Sequence, residues 1–265
     1  MFGRLMFSFV IYMQGLAVLA AAALCTWVFS LWRRNVAIID SLWSLMFVLA
    51  AFTYAHAASR TGPRAILALV LVSVWALRLS LYITWRNWGH GEDRRYQAIR
   101  ARNEPHFPIK SLYLVFGLQA LLAWVISLPL LGAVLSPGPL GVLDWVGALL
   151  WMVGFAFEAG GDWQLARFKS APTHRGKVMD QGLWRFTRHP NYFGDFCIWW
   201  GLYLLAVSAG AWWSVAGPAL MSLLLMRVSG VTLLEKDIGE RRPQYAEYMR
   251  RTNAFFPGKP KPPWS

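Results

Sequence analysis

Seven stretches of this chain, near residues 5–31, 38–58, 65–85, 111–135, 141–161, 192–209 and 212–232, are apolar over close to a bilayer-crossing length. A helix needs roughly 20 such residues to span hydrocarbon. There every backbone N–H and C=O must be satisfied inside the segment, so the runs read as helices. The implied fold is all-α: a polytopic membrane helix bundle of about seven transmembrane helices, one membrane domain over residues 1–265. Composition agrees, since charged residues make up 15% of the chain against about 25% in soluble domains. The first run is too long for a signal-peptide core and has no clear cleavage site, so it reads as a mature helix. Cys25 and Cys197 both lie inside apolar runs, which argues against a disulfide framework and leaves no metal-ligand spacing.

The formal charge of +13 would point to nucleic acid in a soluble protein. In a membrane bundle it reads as the positive-inside bias and attraction to anionic headgroups, so the partners expected are membrane lipids and not nucleic acid. Residues 86–110 carry Arg86, Arg94, Arg95, Arg100, Arg102 and Lys110, residues 162–191 carry Arg167, Lys169, Arg175, Lys177, Arg185 and Arg188, and the chain after residue 234 is strongly basic. Ser136-Pro137-Gly138-Pro139 and Ala209-Gly210-Ala211 carry no basic residue. Basic loops stay in the cytoplasm, which puts the C-terminus inside and, with an odd number of spans, the N-terminus outside. Arg33 and Arg34 agree with this, whereas Arg60 and Arg64 fall on the opposite side. The localisation expected is an integral membrane protein, in the inner membrane if the source is bacterial. The Pro-rich residues 258–265 read as a disordered tail.

Polar groups inside such helices are costly and therefore functional candidates. Asp40, Trp43, Phe47 and Tyr54 keep near-helical spacing in the second run. Asp40 reads equally as a site carboxyl or as a cap at the helix start. Arg78, Tyr82 and Arg86 stack at steps of four in the third run. Tyr82 is either an interfacial belt residue or a phenol that gives a proton to a substrate oxygen. The loop Gly89-His90-Gly91-Glu92-Asp93-Arg94-Arg95-Tyr96 combines glycines with paired arginines, as suits a backbone wrapping phosphate, although a solvated charged loop has the same composition. Glu158 and Asp162 end the fifth run, with Lys169 about two turns on. Those acids can accept hydrogen bonds from ribose or adenine, or pair with the arginines nearby.

The densest cluster is Gly182-Leu183-Trp184-Arg185-Phe186-Thr187-Arg188-His189-Pro190-Asn191-Tyr192-Phe193-Gly194-Asp195. Pro190 suits the first position of a helix. Asn191 and Asp195 then share a face, and Arg185, Arg188 and His189 stand just before the helix, where free amides and guanidinium groups make an anion site. The last run ends at Glu235, which can reach back into a cytoplasmic cavity, and the basic segment after it reads as an interfacial amphipathic helix.

These residues carry a resemblance. The 182–195 stretch with its tryptophan-rich helix, the Gly91-Glu92-Asp93-Arg94-Arg95-Tyr96 loop and the Tyr245, Tyr248, Phe256-Pro257 ending are similar to the steroid 5-alpha-reductase-like membrane proteins, more narrowly their poorly characterised bacterial and plant branch. The resemblance runs from Asp40 to Pro257. It implies a seven-helix reductase that binds NADPH in a cytoplasm-facing cavity, with a cofactor-binding half over about residues 86–257. It also implies cofactor contacts at Asn191, Asp195, Asp162 and at Arg94 or Arg95. The reductases carry a Gln-Glu pair where this chain has Ile39-Asp40, and Tyr82 corresponds to their third-helix tyrosine. Arg188-His189-Pro190-Asn191-Tyr192-Phe193-Gly194 and Glu235 also resemble isoprenylcysteine carboxyl methyltransferases and related phospholipid methyltransferases, where such residues hold S-adenosylmethionine.

The leading expectation is a monomeric, membrane-embedded NADPH-dependent reductase of a double bond conjugated to a carbonyl in a steroid-like or other lipid substrate. Asp40 and Tyr82 are the expected catalytic residues, and Trp43, Arg78 and Tyr54 line the substrate. Arg94, Arg95, Glu158, Asp162, Lys169, Arg185, Arg188, His189, Asn191, Tyr192, Asp195 and Glu235 bind the cofactor. The alternative enzyme is an S-adenosylmethionine-dependent lipid or prenyl methyltransferase. A non-enzymatic reading is a lipid- or haem-binding scaffold.

Overall fold

The structure, a computed structural model, describes residues 7–228, 235 and 243–262, and among these residues there is no strand. The helices are α1 (Phe9–Arg33), α2 (Ile38–Ala57), α3 (Pro63–Asn87), α4 (Arg94–Asn103), α5 (Phe107–Ser111), α6 (Leu118–Ile126), α7 (Leu128–Val134), α8 (Val142–Ser170), α9 (Pro190–Ser208), α10 (Ala216–Leu223) and α11 (Pro243–Arg251). Wide π turns at Leu112–Gly117 and Leu224–Val228 continue α5 into α6 and extend α10. Among the described residues, five helical segments are long and apolar enough to cross a membrane: α1, α2, α3, the continuous Phe107–Ile126 and α8. The chain is thus an integral membrane protein of all-α class. The seventh apolar run of the sequence passes outside the described residues after Val228.

The ends of these helices follow local chemistry. The Ser8 hydroxyl accepts from the Ile11 amide to start α1, and Arg34 closes it in a left-handed conformation with φ 50°. Gly62 and Pro63 open α3, where the missing proline N–H costs nothing. Asp93 caps α4 by accepting from the Arg95 amide. The fourth apolar run is not one rod. It stops at Ser127 and restarts as α7, with Pro129 in the first turn.

The helices group into two compact units, Met1–Asp144 with Leu205–Gly217, and Trp145–Leu204 with Pro218–Ser265. In the first unit α2 packs between α1 and α3. Phe47, Trp75, Met46, Phe116 and Ile126 form its fully buried centre. A Cβ on Gly15 would lie 2.5 Å from the Tyr54 ring, so only glycine lets α1 approach α2 there. Phe7 at the start of α1 meets Trp213 edge to face at 5.1 Å. The Gly62 and Pro137 backbones touch, a Cβ on Gly62 falling 2.7 Å from the Pro137 carbonyl oxygen. The start of α1, the α2–α3 loop, the loop before α8 and the loop after α9 therefore gather at one end of this unit. The α1–α2 and α3–α4 connections form its other end, where the Val36 amide donates to Glu92.

Arg64, a basic residue on the expected outer side, is 4% exposed and grips Asp144, which is fully buried. Its Nε and Nη2 donate to the two Asp144 oxygens at 2.7 and 2.9 Å, and it also reaches Ser136, Ser208 and the Pro139 carbonyl. It is a neutralised internal staple rather than a loop charge.

In the second unit the packing rests on glycine. Gly147, Gly154 and Gly161 recur every seven residues on α8, and Gly194 and Gly201 are seven apart on α9. A Cβ on Gly154 would lie 2.5 Å from the Gly194 carbonyl oxygen, and one on Gly201 would lie 2.6 Å from that of Gly147. The two helices touch backbone to backbone, as small residues allow in membranes. The tail is not wholly free. Residues 258–262 are described, and Gly258 and Lys261 donate their amides to the Phe186 and Arg251 carbonyls at 2.9 and 2.8 Å. Of the residues 258–265 read as a tail, 258–262 are described and 263–265 lie outside the described residues.

Candidate active site

The glycine seam of the second unit determines where its acids sit. Gly194 packs on the backbone of Glu158, with an added Cβ only 2.5 Å from the Glu158 nitrogen. That contact buries Glu158, Asp162 and Asp195, which are 3%, 6% and 9% exposed. Pro190 begins α9 as expected, and its ring lies against Gly161. The Asn191 amide consequently donates to Asp162 Oδ1 at 3.3 Å. Burying several acids on facing helices is expensive unless each is hydrogen-bonded or faces a ligand.

The stretch before α9 is held by the C-terminal segment. Trp184 donates its indole N–H to the Gly161 carbonyl at 3.0 Å, and its own carbonyl accepts from the Tyr248 hydroxyl. The Arg188 amide donates to the Asn253 carbonyl at 2.9 Å, and the Thr187 hydroxyl donates to that of Phe255 at 2.8 Å. The Arg188 guanidinium is occupied within the protein. Its Nε and Nη2 each donate to Glu235 at 2.7 Å, and its Nη1 donates to the Met249 and Thr252 carbonyls. His189 Nε2 lies 2.9 Å from Glu235 Oε1, and its ring stacks on Tyr192 at 5.5 Å and 4°.

The electrostatics follow from this geometry. Burial by itself raises the Glu235 carboxyl, but the hydrogen bonds from His189 and Arg188 outweigh it and hold the group down to about 2. Burial acts to lower Arg188, and its bonds to Glu235 overcome that and raise it. Burial first and the Glu235 charge second push the Tyr245 phenol up to about 12. The cluster is thus an ion pair near neutral pH that ties the stretch before α9 to Glu235. Arg185, three residues earlier, is exposed, as is Lys169 at the end of α8.

A second constellation lies in the first unit, at the start of α2. Asp40 accepts from Arg95 Nη2 at 2.9 Å on one oxygen and from the Tyr96 hydroxyl at 2.6 Å on the other. Gln119 on α6 donates to the Tyr96 oxygen at 3.1 Å. Arg95 also holds Asp93 at 3.1 Å, and Glu92 takes a two-point contact from Arg100 at 2.8 and 2.9 Å. The loop is therefore an ordered clasp. Burial would raise Glu92, yet the bonds from Arg100 and the Val36 amide hold its carboxyl below the usual range. Burial and then the Asp40 charge raise the Tyr96 phenol.

The other expected site residues are placed as follows. Arg94 is exposed. Tyr82 is flanked by Arg78 and Arg86, whose guanidinium carbons lie 5.8 and 5.9 Å from its ring centroid. Trp43 meets Phe47 edge to face at 5.3 Å. Tyr54 is fully buried and hydrogen-bonded to Ser127 at 2.7 Å, a core position. Sequence reasoning missed Tyr96 as a partner of Asp40 and Gln119 as a partner of Tyr96. Tyr96 stands in the loop already singled out, but no local spacing links it to a carboxyl 56 residues away. The Arg64–Asp144 staple was likewise missed.

Residues 26–252 match a family model described as "Protein of unknown function (DUF1295)". The chain is also similar to an uncharacterised protein of Schizosaccharomyces pombe, 25% identical over 261 residues, covering 87% of this chain and 75% of that one. No solved structure matches the chain.

Proposed function

The chain belongs to the DUF1295 family of proteins of unknown function, and from that premise we propose that it is a membrane-embedded, NADPH-dependent reductase of a carbon–carbon double bond conjugated to a carbonyl, acting on a steroid-like or other lipid substrate. The observation that carries this reading is the Asp40 carboxyl gathered with the Tyr96 phenol and the Arg95 guanidinium at the end of a membrane helix. When a conjugated double bond takes up hydride, charge grows on the carbonyl oxygen, and donors already in place there lower the barrier. Arg95 is such a donor, because its Nη1 is taken up by neither Asp40 nor Asp93; the single Tyr96 O–H is given to Asp40, so the phenol, itself held by Gln119, orients the carboxyl.

The second unit offers groups that fit a dinucleotide. Asn191 and Asp162 suit hydroxyl and amide groups, and exposed Arg185 suits a phosphate. Arg188 is already occupied by Glu235 and two carbonyls, so its part is to hold the stretch rather than to meet phosphate. When bound, NADPH supplies the hydride, and the protein supplies orientation and electrostatics. The site faces the cytoplasm in this reading, with the C-terminus inside and the N-terminus outside.

One observation favours a second reading. Glu158, Asp162 and Asp195 line the same unit as buried acids, which suits a cationic ligand such as S-adenosylmethionine and hence a lipid methyltransferase. Thermal unfolding of the detergent-purified protein with NADPH, NADH or S-adenosylmethionine separates the two, because a ligand selective for the folded state raises the midpoint. NADPH is expected to raise it by several degrees, and Asn191→Ala to abolish the shift. A response to S-adenosylmethionine alone overturns the reductase reading. Silence from all three ligands favours a scaffold.

A further inference from the structure

We propose that the junction between the 184–189 stretch and the C-terminal segment is a docking surface for anionic phospholipid headgroups, with Phe186 and Phe256 as its apolar wedge and Lys259 and Lys261 as its charges. The proposal stands apart from the NADPH reading: its wedge and its charges, Phe186, Phe256, Lys259 and Lys261, are none of the residues assigned to the cofactor, although Arg185, Arg188 and His189 lie on the same stretch.

Phe186 and Phe256 are 42% and 55% exposed. They are not loose. Gly258 donates its amide to the Phe186 carbonyl at 2.9 Å, and Thr187 donates to the carbonyl of Phe255 at 2.8 Å. Both rings thus project from a junction pinned by hydrogen bonds. Phe256 also meets Phe193 and Phe196 at 6.2 and 5.7 Å, in the first turns of α9. That helix is not one of the five segments above, but it is the apolar run expected as the sixth span, and on that expectation the patch lies at the membrane surface. Aromatic rings are favoured at that depth, with one face in the acyl boundary and the rest among headgroups.

The charges complete the argument. Lys259 and Lys261 are exposed and make no side-chain hydrogen bond or ion pair among the described residues. Among the described residues, the acids of this region do not neutralise them. Asp180 and Glu247 both pair with Arg251, at 3.5 and 3.7 Å. The Lys261 amide is fixed to the Arg251 carbonyl at 2.8 Å, so the lysines are carried on an anchored, proline-spaced segment. Paired cations beside exposed aromatics at a span entrance complement an anionic leaflet.

The test uses the full chain in nanodiscs of phosphatidylcholine alone, or of phosphatidylcholine with about one third phosphatidylglycerol, an anionic fraction on the order of that in lipid surfaces that attract basic segments. Hydrogen exchange is read at the Gly258 and Lys261 amides. Phosphatidylglycerol is expected to slow it at least about threefold, and high salt is expected to erase most of the difference. The double variant Lys259→Gln/Lys261→Gln removes two exposed cations with no bonded side-chain role and should lose the effect while folding normally. Phe186→Ser/Phe256→Ser should exchange faster in both membranes. Equal exchange of the unaltered protein in the two membranes overturns the proposal. So does equal protection by inorganic phosphate added to phosphatidylcholine discs, which would mark a free-phosphate site instead.

Discussion

Arg188 shows how far a residue's role can be read from its neighbours. The sequence singles it out, with His189, as part of a dense polar cluster before a membrane helix. It does not reveal that both residues converge on Glu235, 47 and 46 positions away, because an ion pair closed through the fold leaves no local spacing. The pairing gives a pH prediction with a definite sign. Glu235 is held at about 2 against an ordinary value of 4.5. A carboxyl whose folded value is depressed contributes stability that is fully present above the ordinary value and is lost as pH falls toward the folded one. Proteolysis of the C-terminal segment should therefore be slow from neutral pH down to about 5 and accelerate steadily between about 4.5 and 2. Glu235→Ala leaves Arg188 buried without its partner, which should cost about 3–5 kcal/mol and flatten that pH response. An unchanged midpoint and an unchanged acid profile in this variant would show that the pair contributes nothing.

At the scale of elements, the apolar runs translate well into helices, since hydrocarbon leaves the backbone no other local solution. The first three runs become α1, α2 and α3 within a few residues of their expected ends. The fourth was legible as apolar but not as broken, because the π turn at Leu112–Gly117 and the stop at Ser127 depend on tertiary packing. The α8–α9 seam is a related case. Its seven-residue glycine spacing is present in the sequence, but which helix it faces appears only in the fold. Gly194→Ala puts a Cβ 2.5 Å from two backbone atoms, Gly154 O and Glu158 N. Neither atom can rotate away, so the helices must part, at a cost of about 1–3 kcal/mol for overpacking. Gly160→Ala meets only the Leu183 side chain, at 3.2 Å, and should be nearly neutral. Thermal unfolding of both variants in one detergent decides the matter. Equal midpoints would mean that the seam is not tightly packed. Because Glu158, Asp162, Asn191 and Asp195 ride on these helices, Gly194→Ala should also weaken any ligand that stabilises the native protein.

For the molecule as a whole, the sequence carries orientation as a charge asymmetry, and Arg64 was one of two residues that spoiled it. The staple removes it from the count. Arg64 is neutralised by Asp144 and satisfied by Ser136, Ser208 and Pro139, which leaves Arg60 as the basic residue of the α2–α3 loop. The other end of the first unit keeps Arg94, Arg95, Arg100 and Arg102. This asymmetry predicts that Gly138 faces outside and Gly91 the cytoplasm. In a Cys25→Ala/Cys197→Ala background, Gly138→Cys should react with a membrane-impermeant maleimide in intact cells, and Gly91→Cys only after permeabilisation. The reverse pattern would invert the topology and move the proposed site to the outer face. Arg64→Gln separates charge from structure in the same assay. If Arg64 were a topological signal, its loss would strengthen the bias and leave stability untouched. As a staple, its loss leaves orientation unchanged but strands a fully buried Asp144 carboxylate, at about 3–5 kcal/mol. A lowered unfolding midpoint with unaltered labelling is therefore the expected result, and a normal midpoint would return Arg64 to the loop charges.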